Sequence, residues 1–88
     1  MKGLFFTAKT CNGCQKMYPI IKKLIDDNYP IEIIDAKINT TAAKQYNITA
    51  LPTIIILNGL QEIKRFIGVV SESEIKSILK IGYNYRIW

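Results

Sequence analysis

Cys11-Asn12-Gly13-Cys14 is a Cys-x-x-Cys motif that begins four residues after the end of the apolar stretch Leu4-Phe5-Phe6-Thr7. Residues 1–7 predict a strand, and residues 15–28 predict a helix. Because the N-terminus of a helix offers free N–H groups and partial positive charge, it favours the thiolate form of a cysteine placed there. We therefore hypothesise that this motif performs reversible thiol–disulfide exchange and that the rest of the chain holds it in place.

The length and composition indicate one globular domain. The chain has 88 residues, which is too few for a second domain, and 49% of them are hydrophobic. It has no run of about 18 apolar residues and no signal-peptide features, so we expect a cytoplasmic protein without membrane contact. The net charge of +5 comes from scattered cations, which we interpret as a solvated surface, and we expect no nucleic-acid partner.

The two cysteines are the candidate reactive groups, because the chain contains no histidine. This excludes a His general base, Cys/His nucleophile pairs and most zinc-site patterns. In the cytoplasm a cysteine pair is more often catalytic or metal-binding than structural. A zinc site or an iron–sulfur cluster would need ligands from two chains. We expect no metal, and we expect a monomer.

The first half of the chain predicts a strand–helix–strand unit. Pro19 lies inside the helix, where it removes one backbone hydrogen bond and bends the helix. Residues 31–35 predict the second strand, parallel to the first and joined to it by a right-handed crossover. The helix carries an apolar stripe at spacings of three and four, formed by Cys14, Met17, Tyr18, Ile21, Leu24 and Ile25.

The middle of the chain predicts a short helix and then a β-strand. Asn39 or Thr40 caps a helix over residues 42–46, and Asn47 ends it. The β-branched run over residues 54–57 predicts a strand that is buried on both faces.

The remaining residues predict a hairpin and a last helix. Asn58-Gly59 indicates the hairpin turn, and residues 61–67 return as the second strand before Gly68. Ser71 and Glu74 predict a capping box for a helix of about ten residues that ends at Gly82. Its inward face is formed by Ile75, Ile78 and Leu79. The predicted order is β-α-β-α-β-β-α, a parallel pair followed by an antiparallel hairpin.

Four features taken together resemble the thioredoxin superfamily in its smallest, glutaredoxin-sized form. They are the Cys11-x-x-Cys14 motif after the first strand, Pro19 five residues after the second cysteine, Leu51-Pro52-Thr53 before a strand, and Gly68 after the hairpin. The resemblance implies an α/β fold, the minimal thioredoxin fold, whose four-stranded mixed sheet has the order 2-1-3-4 and is flanked by helices. We expect the domain to span residues 1–82, followed by an aromatic tail at 83–88.

The resemblance also assigns roles to residues of the site. It implies that Cys11 is the nucleophile and Cys14 the resolving cysteine, in a loop completed by Thr10, Asn12 and Gly13. Lys9 and a backbone N–H at Gly13 are candidate stabilisers of the thiolate.

The same resemblance implies a substrate-binding site beside the motif. Pro52 is expected to be cis and to lie next to the cysteines. The backbone N–H and C=O of Leu51 then pair with an extended substrate chain. Gly68 leaves the approach to the cysteines open.

Departures from the family pattern lie at three places. Thioredoxins usually carry Trp before the first cysteine and Gly-Pro between the two, where this chain has Thr10 and Asn12-Gly13. Phe5 stands where the family has a buried Asp, so that proton acceptor is absent and no residue stands out as the base for Cys14. These departures concern the reduction potential and the partners, and they leave the class of reaction unchanged.

The function implied is reduction of protein disulfides, with no cofactor beyond the Cys11–Cys14 disulfide. Implied partners are disulfide-containing client proteins, ribonucleotide reductase being one type, and a flavin-dependent thioredoxin reductase. Leu51-Pro52-Thr53 favours a thioredoxin over a glutathione-dependent glutaredoxin, and residues 68–71 lack the glutaredoxin Gly-Gly-x-x-Asp character. Both that alternative and a non-catalytic accessory subunit stay open, although a scaffold has no need for two cysteines.

Overall fold

The computed structural model describes residues 1–79. The predicted order of elements is confirmed over this range. The predicted helix end at Gly82, the domain end at residue 82 and the tail at 83–88 lie outside the described residues. The elements are β1 (Lys2–Thr7), α1 (Asn12–Asp26), β2 (Ile31–Asp35), α2 (Thr40–Gln45), β3 (Thr53–Asn58), β4 (Gln61–Ile67) and α3 (Glu72–Ile78).

The four strands form one mixed sheet in the order β2-β1-β3-β4, as predicted. Strand β1 is parallel to β2 and antiparallel to β3, and β3 and β4 form the hairpin. Strand β1 lies in the interior of the sheet, between β2 and β3. Its last residue, Thr7, pairs with Asp35, the last residue of β2. The loop that leaves β1 therefore carries the Cys-x-x-Cys motif to the same edge of the sheet as the end of β2.

Each face of the sheet has its own apolar cluster. The two-helix face is covered by α1 and α3, and the one-helix face is covered by α2. On the two-helix face the buried residues are Phe5, Met17, Ile21, Leu24, Ile54, Ile56, Phe66, Ile75 and Leu79. On the one-helix face they are Leu4, Phe6, Ile34, Ile55 and Leu57. The alternation along β1 and β3 explains this division, since successive side chains of a strand point to opposite faces.

The prediction for α1 is correct in type and wrong in detail. The helix begins at Asn12 rather than residue 15 and ends at Asp26 rather than residue 28, with Pro19 inside it as predicted. Tyr18 was expected in the core but is 46% exposed. Successive residues of a helix are about 100° apart around its axis. Since Met17 points directly into the core, its neighbour Tyr18 points along the helix surface.

Other boundaries differ by one or two residues from the predictions. Helix α2 begins at Thr40, and its cap is Asn39, whose side-chain Oδ1 accepts the N–H of Ala42 at 3.1 Å. The hairpin turn consists of residues 59 and 60, one position later than predicted, because Asn58 still pairs with Gln61.

The predicted start of the last helix is confirmed. The capping box of Ser71 and Glu74 is present, and Ile75 and Leu79 are fully buried on its inward side. Within the described part of the chain, no helix combines the length and apolar character that crossing a bilayer requires.

Candidate active site

The two cysteines occupy the first turn of α1 and are joined as a disulfide, with their Cα atoms 5.2 Å apart. Cys11 is the N-cap residue of the helix, in an extended conformation, and it is partly exposed. Cys14 lies one turn into the helix and is only 2% exposed. The motif thus presents one accessible sulfur and one protected sulfur, in the chain order that was predicted.

The start of the helix supplies a hydrogen-bond donor to the exposed sulfur. The backbone N–H of Cys14 lies 3.1 Å from Cys11 Sγ. The N–H of Gly13 as a further donor to the thiolate stays a prediction, and the structure adds the N–H of Cys14. This is the contact that a capping side chain makes with the third residue of a helix, and here sulfur takes the place of the usual oxygen. The same donor and the helix dipole stabilise negative charge on Cys11 Sγ.

The Leu51–Pro52 peptide bond is cis, as predicted, and Pro52 lies against the cysteine loop. A Cβ atom added to Gly13 would lie 3.0 Å from Pro52 Cδ and 3.5 Å from Val69 Cγ2. The motif, the Leu51–Pro52 segment and the residues after β4 therefore meet at Gly13. A side chain at this position would require Pro52 to give way by a few tenths of an ångström.

Gly68 connects the end of β4 to Pro52. Its N–H donates to the Pro52 carbonyl at 2.9 Å, and its φ of +95° is a conformation that favours glycine. No atom lies within 4 Å of where its Cβ would be, so the surface above Gly68 is open as predicted. Val69, which follows, is 54% exposed beside the motif. Val69 was not among the residues predicted for the site, and its position directly after Gly68 was the available signal.

Leu51 lies close to the exposed cysteine and lines the same cavity. Its half-buried side chain packs against the cluster of the one-helix face. Within residues 1–79, neither its backbone N–H nor its C=O forms a hydrogen bond to another residue. A cavity of about 470 Å³ brings Thr10, Cys11 and Leu51 together. The predicted loop and substrate residues are therefore grouped around Cys11.

Two further residues discussed for the site are Lys9, in the loop before the motif, and Phe5, on β1. The Lys9 carbonyl accepts a hydrogen bond from Gln15 Nε2 at 3.2 Å, which ties the loop to the first turn of α1. A role for the Lys9 cation in stabilising the thiolate stays a prediction. Phe5 is completely buried in the two-helix face. Among the described residues, no cluster of three or more His, Cys, Asp or Glu side chains is arranged to hold a metal ion.

The thioredoxin family model matches residues 4–81, nearly the whole chain. This chain belongs to the thioredoxin family. It is 30% identical over 83 residues to a thioredoxin of Buchnera aphidicola, an alignment that covers 90% of this chain and 76% of that protein. It is 32% identical over 74 residues to a thioredoxin of Chlorobaculum thiosulfatiphilum, covering 80% and 68%.

Solved structures agree with this assignment. Thioredoxin 1 from Thermosipho africanus superposes with a TM-score of 0.74 at 36% identity, covering 85% of each chain. Some relatives are considerably longer, and the alignment to thioredoxin H2 of Arabidopsis thaliana covers 59% of that protein. Family membership and the Cys11–Cys14 pair together make this chain a thiol–disulfide oxidoreductase that acts on protein disulfides.

Proposed function

We propose that this protein reduces disulfides in client proteins, with Cys11 as the nucleophile and Cys14 as the resolving cysteine. The observation that carries the proposal is the asymmetry of the pair. Cys11 is accessible and accepts the N–H of Cys14 at 3.1 Å, whereas Cys14 is 2% exposed. The accessible sulfur can reach a client, and the buried sulfur can reach only Cys11.

The reaction proceeds in two exchanges. The Cys11 thiolate attacks one sulfur of the client disulfide, forming a mixed disulfide and releasing the other client sulfur as a thiolate, which takes up a proton. Cys14 then loses its proton and attacks Cys11 Sγ, which releases the second client thiol and leaves the Cys11–Cys14 disulfide. Two electrons pass from the protein to the client, and no cofactor beyond the cysteine pair takes part.

We assign client binding to Leu51, Pro52 and Gly68. The backbone N–H and C=O of Leu51 are available to an extended client chain, which would pair with them as a short added strand. The open surface at Gly68 and the exposed Val69 accommodate the client where β4 ends. Thr10, Asn12 and Gly13 form the rest of the loop around Cys11.

A reductant of this kind must itself be re-reduced. We propose that a flavin-dependent thioredoxin reductase does so and that ribonucleotide reductase is one type of client, both by analogy with the family. We place the activity in the cytoplasm, because a reducing compartment keeps an accessible cysteine pair in the dithiol form.

Reduction of insulin disulfides in the presence of dithiothreitol tests the proposal. We expect the wild-type protein to accelerate the reaction and Cys11→Ser to abolish the acceleration. Cys14→Ser should retain the first exchange and accumulate a mixed disulfide with insulin, detectable by mass spectrometry. Equal rates for wild type and Cys11→Ser would contradict the proposal and favour a non-catalytic accessory subunit.

A second assay separates a thioredoxin from a glutaredoxin. The substrate is a peptide joined to glutathione by a mixed disulfide, and the reductant is glutathione with glutathione reductase. We expect turnover to be slow compared with insulin reduction. Rapid turnover, especially if it persisted in Cys14→Ser, would indicate the glutathione-dependent alternative.

A further inference from the structure

The buried cysteine borders a cavity of about 360 Å³ whose lining residues do not include Pro52. This cavity lies between the first two turns of α1 and the ends of β1 and β2. Its titratable lining groups are Lys9, Cys14, Tyr18 and Asp35. At roughly 30 Å³ per molecule in the liquid, a space of this size holds several waters.

The second exchange requires a proton to leave Cys14. Burial disfavours the thiolate form of a cysteine, so a nearby acceptor accelerates its formation. The neighbouring strand β1 offers no acceptor, because the buried residues that precede the motif, Leu4, Phe5 and Phe6, are apolar. The chain has no histidine. Apart from the departing client thiolate, an acceptor can be reached through the cavity that Cys14 borders.

Asp35 is the carboxylate in that cavity. It ends β2 directly beside Thr7, and its Oδ1 accepts the backbone N–H groups of Lys37 and Ile38 at 2.8 and 3.1 Å. These two bonds fix the side chain in one orientation. In the described part of the chain, no hydrogen-bond donor contacts the other oxygen, Oδ2.

We propose that Asp35 accepts the proton of Cys14 through water in this cavity during the second exchange. The proton passes from Cys14 Sγ to water while water passes a proton to the Asp35 carboxylate. The resulting Cys14 thiolate attacks Cys11 Sγ, and the client leaves as a thiolate. Asp35 later returns its proton to solvent, so it is unchanged over the cycle. This inference rests on the proposed function, in which Cys14 is the resolving cysteine.

The other charged groups fit this assignment. Lys9 lines this cavity and also an adjoining one together with Asp35, so its cation and the Asp35 carboxylate border the same space. Tyr18 contributes a phenol, which is a weak acid at neutral pH and a poor base. Glu32, the other acid on β2, faces Lys2 at the far end of the strand and forms an ion pair with it at 2.9 Å.

Asp35→Asn is the informative variant, because asparagine keeps the Oδ1 acceptor for Lys37 and Ile38 but cannot take up the proton. Reduced protein is mixed with a client peptide disulfide, quenched with acid at successive times, and the mixed disulfide is counted by mass spectrometry. General bases contribute roughly 10²–10⁴-fold, and since transfer here runs through water we expect the second exchange to slow about tenfold. The first exchange should keep its rate. Asp27→Asn, at the opposite end of α1, is the matched control and should change neither step.

The pH profile separates proton transfer from a structural effect. In wild type we expect the rate of the second exchange to level off near neutral pH. In Asp35→Asn it should continue to rise about tenfold per pH unit, because hydroxide is then the acceptor. Asp35→Glu should restore part of the rate. An Asp35→Asn variant with the wild-type rate and profile would overturn the assignment. Absence of any mixed disulfide in Cys14→Ser would instead overturn the proposed function.

Discussion

The two faces of the sheet differ in how firmly they are covered, and the active site lies where they meet. On the two-helix face, the 15-residue α1 buries Met17, Ile21 and Leu24, and α3 adds Ile75. On the one-helix face, the six-residue α2 has no fully buried residue. Cys14 belongs to the first of these helices, whereas Leu51 packs on the second face. We therefore expect the reacting sulfurs to be held by the firmer side, and the proposed client-binding segment by the side that has more freedom to adjust.

Two neighbouring isoleucines on β3 provide the sharpest test of this contrast. Ile54 and Ile55 are both completely buried, Ile54 in the two-helix face and Ile55 in the one-helix face. Ile→Ala substitutions in cores cost about 2–5 kcal/mol, and the cost is greater where the surroundings cannot collapse into the cavity. We expect Ile54→Ala at about 4 kcal/mol and Ile55→Ala at about 2–3 kcal/mol, because α2 can move inward.

Urea unfolding of the oxidised protein measures both values. Ile54→Val and Ile55→Val, which remove a single methylene group, are the controls and should cost about 1 kcal/mol each. Equal costs for the two alanine variants would show that the faces are equally rigid and would remove the basis of the comparison.

Arg65 on β4 links the sheet to the end of α2 on the one-helix face through hydrogen bonds. Its Nη2 donates to the Tyr46 carbonyl at the end of α2 at 2.8 Å, and its Nη1 donates to that of Asn47 at 3.4 Å. Arg65→Ala should cost about 1–2 kcal/mol, since it removes charge-assisted bonds to these carbonyls. We also expect faster hydrogen exchange of the α2 amides, with those of α1 unchanged.

Lys64→Ala is the matched control for Arg65. It removes a cation from the neighbouring position, where Lys64 Nζ lies 5.3 Å from the centre of the Phe66 ring. That contact contributes about 0.5 kcal/mol at an exposed site. Uniformly faster exchange in Arg65→Ala would mean that α2 does not open separately from the rest of the protein.

The caps of α3 and α2 also differ between the two faces, and we expect their effects on stability to be smaller. Ser71 Oγ accepts the N–H of Glu74 at 3.2 Å and Glu74 accepts that of Ser71 at 3.1 Å, so α3 starts with a complete capping box. Asn39 caps α2 with one such bond. Ser71→Ala should cost about 1 kcal/mol of global stability. Asn39→Ala should mainly increase hydrogen exchange within α2. Ser77→Ala, inside α3, is the control, and a cost similar to that of Ser71→Ala would contradict this prediction.

Features set by short stretches of sequence were predictable. The Cys-x-x-Cys spacing, the capping box and the hairpin are each specified within a few residues, and the cis bond at Pro52 followed from the family pattern that those residues complete. Asn47 was predicted to end the short helix because asparagine tolerates the left-handed conformation, and its φ is +53°.

Features that depend on register between distant elements were not predictable. Asp35 reaches the cavity because β2 pairs with β1 in a register that sets it beside Thr7, which local patterns do not encode. Val69 meets Gly13 only after the hairpin has folded back against the cysteine loop. Tyr18 was misplaced because an apolar stripe on a helix has an uncertain edge, and an aromatic residue with a polar hydroxyl is stable at the rim.

The smallest expected effect is a pH dependence of the stability that the ion pair between Arg65 and Glu62 contributes. Hydrogen bonds from the Arg65 guanidinium, at 2.8 Å to each carboxylate oxygen, hold the pKa of Glu62 below its ordinary value and outweigh the opposing effect of burial. A carboxyl whose pKa is depressed on folding contributes stability above its unfolded pKa and loses it as the pH falls through the folded value. Because Glu62 is 36% exposed, the pair contributes about 0.5 kcal/mol at neutral pH.

Urea unfolding of wild type and Glu62→Gln across a pH series measures this contribution. The difference between the two should be present at pH 7 and should shrink below about pH 5, as the carboxylate is protonated. Raising the salt concentration should reduce it at neutral pH, since a partly exposed pair is screened. Glu62→Gln in an Arg65→Ala background is the control and should show no such pH dependence. A difference that persisted unchanged to pH 3 would mean that Glu62 acts through packing of its side chain, and Arg65 would then hold α2 through the carbonyls of Tyr46 and Asn47 alone.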